Sequence, residues 1–315
     1  MSPPVVSAVV PVYNRACSIR AAIESVLSQS VREIEVIVVD DGSSDATREV
    51  VRGVDDPRVR LVVRDANSGA AAARNAGVAV AVGRYVAFLD SDDLWLPGKL
   101  ERQLAAMEAR PNNPVSCTGV EIHLLDHGIT RVQPLDDVED WARLLAMRCD
   151  LSAGTTQMSR RAIFDEIGPL DEALPRFEDW DWLLRYTRRR AILAIREPLA
   201  RVYNHRARLG EVVDRSAHLF LAKHRRVIAD LLPADRRQAI CDLWLQVTGT
   251  YAFEGRLAAA LPSALAAARQ RPIHAAGRLA RGAAAVVAGR LRQRSHPEGL
   301  LWLWLIASST GLLEL

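Results

Sequence analysis

Along the first hundred or so residues, hydrophobic positions alternate between two periods. Residues 5–12, VVSAVVPV, are a continuous apolar, β-branched run, which predicts a strand buried on both faces. In residues 18–30, SIRAAIESVLSQS, the apolar positions Ile19, Ile23, Val26 and Leu27 recur at helical spacing, with Ser18 placed as an N-cap. The exchange then repeats. IEVIVV at 34–39 predicts a strand, Asp45 stands where it could cap the next helix, VRLVV at 59–63 predicts a strand, and the Ala-rich stretch 70–82 a helix. YVAFL at 85–89 reads as a buried strand, and LPGKLERQLAAMEA at 96–109 as a helix with Pro97 near its first turn. From 115 to 205 the elements are shorter and less regular; after 211 the pattern is helical throughout.

Four rounds of strand and helix predict an α/β domain, with a mostly parallel central sheet and helices on both faces. A boundary near residue 210 separates this unit, residues 1–210, from a helical C-terminal region, residues 211–315. In open α/β sheets ligands bind outside the carboxyl ends of the strands, so the residues just past each strand are the candidates for chemistry. Two of those places are acidic. IEVIVV runs straight into Asp40 and Asp41, and YVAFL into Asp90, Asp92 and Asp93. Adjacent carboxylates at the end of a buried strand repel one another and need compensation.

Charge changes the picture in the C-terminal region. The net charge is +3, yet Arg256 to Arg294 contains eight arginines and no acid, leaving the rest of the chain at −5. Such a basic, Ala-rich, helix-prone segment suits an anionic partner. It is followed by LLWLWLIASSTGLLEL at 300–315, which is short for a membrane span and carries Trp302 and Trp304. Peripheral contact with a membrane is one reading of this tail; packing on the α/β unit or in a homodimer is the other. No nucleic-acid recognition motif accompanies it. Cys17, Cys117, Cys149 and Cys241 lie far apart without CxxC spacing, which fits a reducing compartment and neither a disulfide framework nor a zinc site. The N-terminus has no basic segment ahead of its apolar run, so a cytoplasmic protein is expected, or one at the cytoplasmic face of a membrane.

The acidic clusters carry the candidate chemistry. Asp90 and Asp92, in Asp-x-Asp spacing after a strand, project hard oxygen ligands of the kind that suit Mg²⁺ or Mn²⁺ beside substrate phosphates. A solvated turn is the plain alternative. A third cluster, Glu178, Asp179 and Asp181 in PRFEDWDWLLRYTRRR, falls at a helix start, where the dipole favours carboxylates. Either it is an ordinary acidic first turn, or one of its acids is a general base partly desolvated by Trp180 and Trp182. His123 and His127 have helix-face spacing but fall in a stretch of strand and turn, and are not read as a metal site. No Gly-Lys-Ser/Thr phosphate loop and no GxGxxG is present, which counts against an NTPase or a dehydrogenase.

Taken in order, VSAVVPVYNRA, SIRAAIESVLSQS, IEVIVVDDGSSDAT, NSGAAAARNAGVAVAVGRYVAFLDSDD and GPLDEALPRFEDWDWLLR resemble the inverting glycosyltransferases of family 2, over residues 5–205. The resemblance implies the nucleotide-sugar-binding GT-A fold, Rossmann-like, followed here by the helical C-terminal region. It implies that Asp41 accepts a hydrogen bond from a uracil-type ring N–H while Asp40 supports the loop, and that Pro11 and Tyr13 wall the base. It puts Arg74 and Asn75 under the nucleotide and its phosphates. Asp90, Ser91 and Asp92 match the metal-binding motif, with Asp92 the direct ligand of Mn²⁺ or Mg²⁺ and His205 a further residue toward the metal or diphosphate. Glu178 and Asp179 match the acceptor-side motif, with Asp179 the catalytic base and Trp180 beside it. Gly154, Thr155 and Thr156 resemble the loop bordering donor and acceptor, a plain turn being the alternative.

The implied reaction is a single in-line displacement from a UDP- or dTDP-linked sugar to an acceptor hydroxyl on a saccharide, a lipid-linked glycan or a small molecule. Two other classes compete. A nucleotide-sugar-binding or scaffold protein without catalysis would keep the base pocket but not need every acid, and all of them are present. A phospho-acceptor receiver domain needs its acid pair after the first strand and a later lysine, and Lys99 and Lys223 are the chain's two lysines.

Overall fold

The structure, a computed structural model, describes residues 3–124, 129–135, 151–204 and 209–280. Among these, nine strands form one sheet. The first half alternates as expected: β1 (Val6–Val12), α1 (Ile19–Leu27), β2 (Ile34–Asp40), α2 (Thr47–Arg52), β3 (Val59–Val63), α3 (Ala70–Val80) and β4 (Tyr85–Phe88). Then come β5 (Leu94–Trp95), α4 (Lys99–Ala109), β6 (Val115–Leu124), β7 (Ile129–Gln133), α5 (Ala153–Thr156), β8 (Met158–Arg160), α6 (Ile163–Ile167), α7 (Glu178–Thr187) and β9 (Leu193–Asn204). Helices α8 (Gly210–Lys223), α9 (Arg225–Ala229), α10 (Pro233–Phe253) and α11 (Leu257–Gln270) follow.

The strand order is β3-β2-β1-β4-β8-β6-β9-β5, with β7 paired to β6. The first four strands are parallel; beyond β4 the pairings β4–β8, β8–β6, β6–β7 and β9–β5 are antiparallel and β6–β9 is parallel. The sheet is therefore mixed, and its parallel half is the part the alternation predicts. The order runs outward from β1 to β3 and then returns to the other side of β1 for β4. That reversal is a topological switch point, and it opens a crevice at the carboxyl ends of β1 and β4. Pro11 helps to open it. The β1–β4 register ends at Val9 and Phe88, and Pro11 stands past that last pair, where its missing N–H breaks no ladder bond.

Two apolar layers flank the sheet. Val6, Ala8, Val10 and Val12 of β1 pack with α1 residues Ile19, Ile23 and Val26 on one side. Val9, Ile37 and Val39 pack with α3 on the other side, in the cluster that extends to Trp182 of α7 and to Val213, Phe220, Leu243 and Val247 of the C-terminal helices. Caps differ from the sequence expectation. Ser18 stands at the N-cap position of α1 but its buried hydroxyl makes no bond there. Asp45 lies one residue ahead of the α2 N-cap and accepts the Thr47 amide at 3.0 Å. Pro97 precedes α4, whose N-cap is Gly98 in the left-handed region. No helix among the described residues is long and apolar enough to cross a membrane.

Candidate active site

The loops at the carboxyl ends of β1, β2 and β4 meet α5 and the start of α7 around the crevice. At β2 the two adjacent acids are compensated separately. Asp40 is fully buried; its Oδ2 accepts the Arg48 guanidinium at 2.6 Å and the Ser43 amide at 3.3 Å. Asp41 turns the other way. Its Oδ2 accepts the amides of Ser68 and Gly69 at 3.0 and 2.7 Å, and its Oδ1 lies 3.2 Å from Arg64 Nε without a hydrogen bond. The register places Val63 opposite Asp40, so Arg64 arrives beside Asp41 as β3 ends. Gly42 makes the turn possible: its φ is +79°, and a Cβ there would sit 2.8 Å from the Ala66 and Asn67 backbone. Tyr13 is exposed at the end of β1 and Pro11 is buried within it.

At the end of β4, Asp90 and Asp92 are half-buried and Asp93 is buried. Asp92 Oδ2 meets Arg15 Nε at 3.3 Å. Asp93 is used up by the scaffold: it accepts the Thr155 hydroxyl and, at 3.0 Å, the Tyr203 amide at the end of β9. Burial, with Asp90 and Asp92 close by, pushes its carboxyl well above the ordinary range. His205, one residue past the end of β9, lies outside the described residues, as does His127.

Arg74 joins the turn after β4 to the start of α7. It is buried on α3; one terminal nitrogen donates to Asp90 Oδ1 and the other to Glu178 Oε1, each at 2.5 Å. Burial alone would depress the guanidinium, but Asp90, Glu178 and Asp179 around it drive it further up. Glu178 is itself buried. Desolvation outweighs the charge of Arg74 and, with Asp179 adjacent, raises its carboxyl above the ordinary value. Gly154 of α5 packs on this pair: a Cβ there would lie 2.6 Å from Arg74 Nη2 and 2.7 Å from Asp90 Oδ2. The expected loop at 154–156 is thus one helical turn, begun by Ser152 at φ +41°.

The three acids of α7 separate into three environments. Asp179 is half-buried; its Oδ1 accepts the Trp180 amide at 2.8 Å, and among the described residues no hydrogen bond or ion pair occupies its Oδ2. Asp181 is fully buried and holds Lys223 at 2.7 Å, His224 at 2.9 Å and Arg185 at 3.0 Å. Burial would raise its carboxyl, but the bonds from His224 and Lys223 and the charge of Arg185 bring it down to about 2. Asp181 is therefore a clamp between α7 and the C-terminal helices, Glu178 is bound to Arg74, and Asp179 is the least buried of the three. Trp180 is half-buried beside it. Trp182 is a core residue, bonded to the Gly168 carbonyl at 2.9 Å and stacked on Tyr186. Asn75 is likewise engaged elsewhere: its amide bonds both the N–H and the carbonyl of Leu170, and Glu172. That fastens the 170–172 loop to α3.

Asn14, Ser152 and Phe177 are the non-glycine residues with positive φ among the described residues, at 51°, 41° and 67°. All three stand where the site's segments begin or end, and strain of this kind collects at functional sites. The partners Arg15, Arg48 and Arg64 escape a reading of the sequence alone, although the β2–β3 pairing, once assumed, points to Arg64. The donor set of Asp90 and Asp92, two partly exposed carboxylates on one turn with an arginine beside each, fits a hard divalent cation.

The family described as Glycosyl transferase family 2 matches residues 7–168. The succinoglycan biosynthesis protein ExoO of Rhizobium meliloti is 49% identical over 106 residues, 34% of this chain and 30% of that protein. The UDP-Glc:alpha-D-GlcNAc-diphosphoundecaprenol beta-1,3-glucosyltransferase WfgD of Escherichia coli is 46% identical over 102 residues, 32% of this chain and 40% of that protein. The chain thus spans less than half the length of these two relatives. An uncharacterized glycosyltransferase of Haemophilus influenzae is 31% identical over 211 residues, 66% of this chain and 71% of that protein. Among solved structures, S. aureus TarS 1-349 in complex with UDP-GlcNAc superposes with a TM-score of 0.56 at 18% identity, covering 85% of this chain and 92% of that one. The mannosyltransferase PcManGT of Pyrobaculum calidifontis, in complex with GDP-Man and Mn2+, gives a TM-score of 0.57 at 20% identity, covering 100% and 88%. The fold is the GT-A type.

Proposed function

The chain belongs to glycosyl transferase family 2, and from that premise we propose that it transfers a sugar with inversion from a UDP- or dTDP-linked donor to an acceptor hydroxyl. One observation carries this reading. Acids from three segments border the β1/β4 switch point: Asp41, whose buried Oδ1 makes no hydrogen bond and lies against Arg64, the Asp90–Asp92 turn, and Asp179, whose charge acts on the same Arg74 that Asp90 binds. In this reading Asp41 Oδ1 accepts the ring N–H of the base, Tyr13 stacks on it, and Pro11 forms the floor. Asp40 holds the turn through Ser43 and Arg48 and does not touch the ligand.

Asp90 and Asp92, with His205 as a further candidate, would hold Mg²⁺ or Mn²⁺, which supplies charge to the leaving diphosphate. Arg15, paired with Asp92 here, would have to release that carboxylate for it to hold the cation. Arg74 stays buried and fixes the acceptor side through Glu178, while Gly154 and Thr155 border the sugar. Asp179 takes the proton of the acceptor hydroxyl as its oxygen attacks the anomeric carbon from the face opposite the nucleotide. The bond to the diphosphate breaks, its electron pair leaves with the diphosphate, and the configuration inverts.

The named donor and acceptor of WfgD support a UDP-sugar and a hydroxyl on a lipid-linked glycan, in polysaccharide or glycolipid biosynthesis. The test is a panel of nucleotide sugars with Mn²⁺ or Mg²⁺ and saccharide acceptors, read by nucleotide release and by the anomeric configuration of the product. Metal-dependent release from one uridine or thymidine donor, an inverted product, and loss of both in Asp92→Ala are expected. A retained configuration overturns the mechanism, and no release from any donor overturns the transferase reading.

A further inference from the structure

Helix α11 is turned inside out. Its small residues Ala260, Ser263 and Ala267 face the protein, and the Ser263 hydroxyl bonds that of Thr248 on α10 at 2.9 Å. Its leucines face outward: Leu257, Leu261 and Leu265 are 71, 57 and 51% exposed. Spaced four residues apart, they form a single stripe along the helix. A helix on a protein surface ordinarily does the reverse, leucine in and polar out. The helical residues 272–280 repeat the inversion, with Ala275 buried and Ile273 89% exposed. The charged residues on these two helices are all of one sign. Arg269 and Arg278 are exposed on them, Arg271 between them donates to Gln238 of α10, and no Asp or Glu occurs from residue 256 to 294.

We propose that the outward face of α11 and of the helix after it docks on an anionic phospholipid surface. The leucine stripe and Ile273 enter the acyl boundary, and the arginines take the phosphates around them. Apolar area alone would serve many partners. It is the exposed arginines Arg269 and Arg278, on a stretch of chain without a carboxylate, that select an anionic lipid headgroup layer, where each basic side chain near the surface adds attraction. This face is remote in sequence from every residue assigned to the crevice, so the inference holds whether or not the transferase reading does.

The test uses the full chain and sedimentation with vesicles of phosphatidylglycerol and phosphatidylcholine, or of phosphatidylcholine alone. The triple variant Leu257→Ser, Leu261→Ser, Leu265→Ser is compared with the wild type, with thermal unfolding and analytical ultracentrifugation run on both. The expected result is wild-type binding to the anionic vesicles, weakened by salt and by omission of the anionic lipid, and at least about tenfold weaker in the variant. Unfolding and sedimentation in solution are expected to be the same for both proteins. Equal vesicle binding by variant and wild type, or binding indifferent to lipid charge, overturns the proposal. So does a wild-type dimer that the variant abolishes, because a second copy then covers the stripe. A large loss of thermal stability in the variant also overturns it, because residues 281–315 would then be the cover.

Discussion

Replacing Arg74 by Met keeps the length of the buried stem and removes the charge that joins Asp90 to Glu178. The two bonds at 2.5 Å are not equivalent in consequence, because Asp90 is partly exposed and can resolvate, whereas Glu178 is buried. The variant therefore leaves one buried carboxylate unpaired, which typically costs about 3–5 kcal/mol. For a chain of this size that lowers the unfolding midpoint by roughly 4–8 °C at neutral pH. The pH dependence identifies the cause. Burial already raises Glu178 above its ordinary 4.5, and loss of Arg74 removes the largest influence acting downward. A carboxyl raised in the folded state stabilises below its unfolded value and loses that contribution as pH rises. The stability gap between wild type and Arg74→Met should therefore be smallest near about pH 4.5 and widen toward about pH 8. Adding Glu178→Gln to Arg74→Met should recover much of the loss at neutral pH, with a coupling energy of about 1–3 kcal/mol. Thermal unfolding of the four proteins of this cycle across that pH range is the assay. A gap that is flat in pH, together with no recovery in the double variant, would refute the argument that Arg74 compensates Glu178.

Gly154→Ala places a methyl group between Arg74 and Asp90 and forces that pair apart; turnover should fall by about a hundredfold while the fold survives, read by kcat beside circular dichroism. Asp181→Asn removes a carboxylate held at about 2, below its unfolded 3.8. The wild type should be more stable by about 2 kcal/mol at neutral pH, and that advantage should vanish as pH falls from about 4 toward 2, checked by denaturant unfolding. Lys99 is buried over the Trp95 ring at 4.3 Å, and burial brings its amine down to about 7 from 10.5. Wild-type stability should then gain a rising contribution between about pH 7 and 10.5 that is absent in Lys99→Met; parallel pH profiles of the two proteins would contradict this.

What the sequence disclosed follows from where periodicity is strong. β3 runs Val59–Val63 as the pattern predicts, Asp40 is the last residue of β2, and the acids at 41, 90 and 92 fall past strand ends as the topology requires. The antiparallel half of the sheet was not legible, because β8 has three residues and β5 two, too few to show a period, and their partners are distant in sequence. Asp181 and Asp179 look alike in Glu-Asp-Trp-Asp; only the arrival of Lys223 and His224 from the C-terminal helices marks one as a clamp. The resemblance puts Asn75 with Arg74 under the nucleotide; the bonds of its amide to Leu170 and Glu172, some 95 residues away, are not legible in any local pattern. The double pairing of Arg74 bridges 104 residues to Glu178, a separation that no local pattern encodes.

The central claim, that Asp179 is the base of a single displacement in this crevice, is tested most directly by Asp179→Asn. Calorimetric titration with the preferred nucleotide sugar would be set beside single-turnover transfer. The account predicts donor binding within about twofold of the wild type and transfer slower by about a thousandfold. Transfer near the wild-type rate, or loss of donor binding together with transfer, would contradict it.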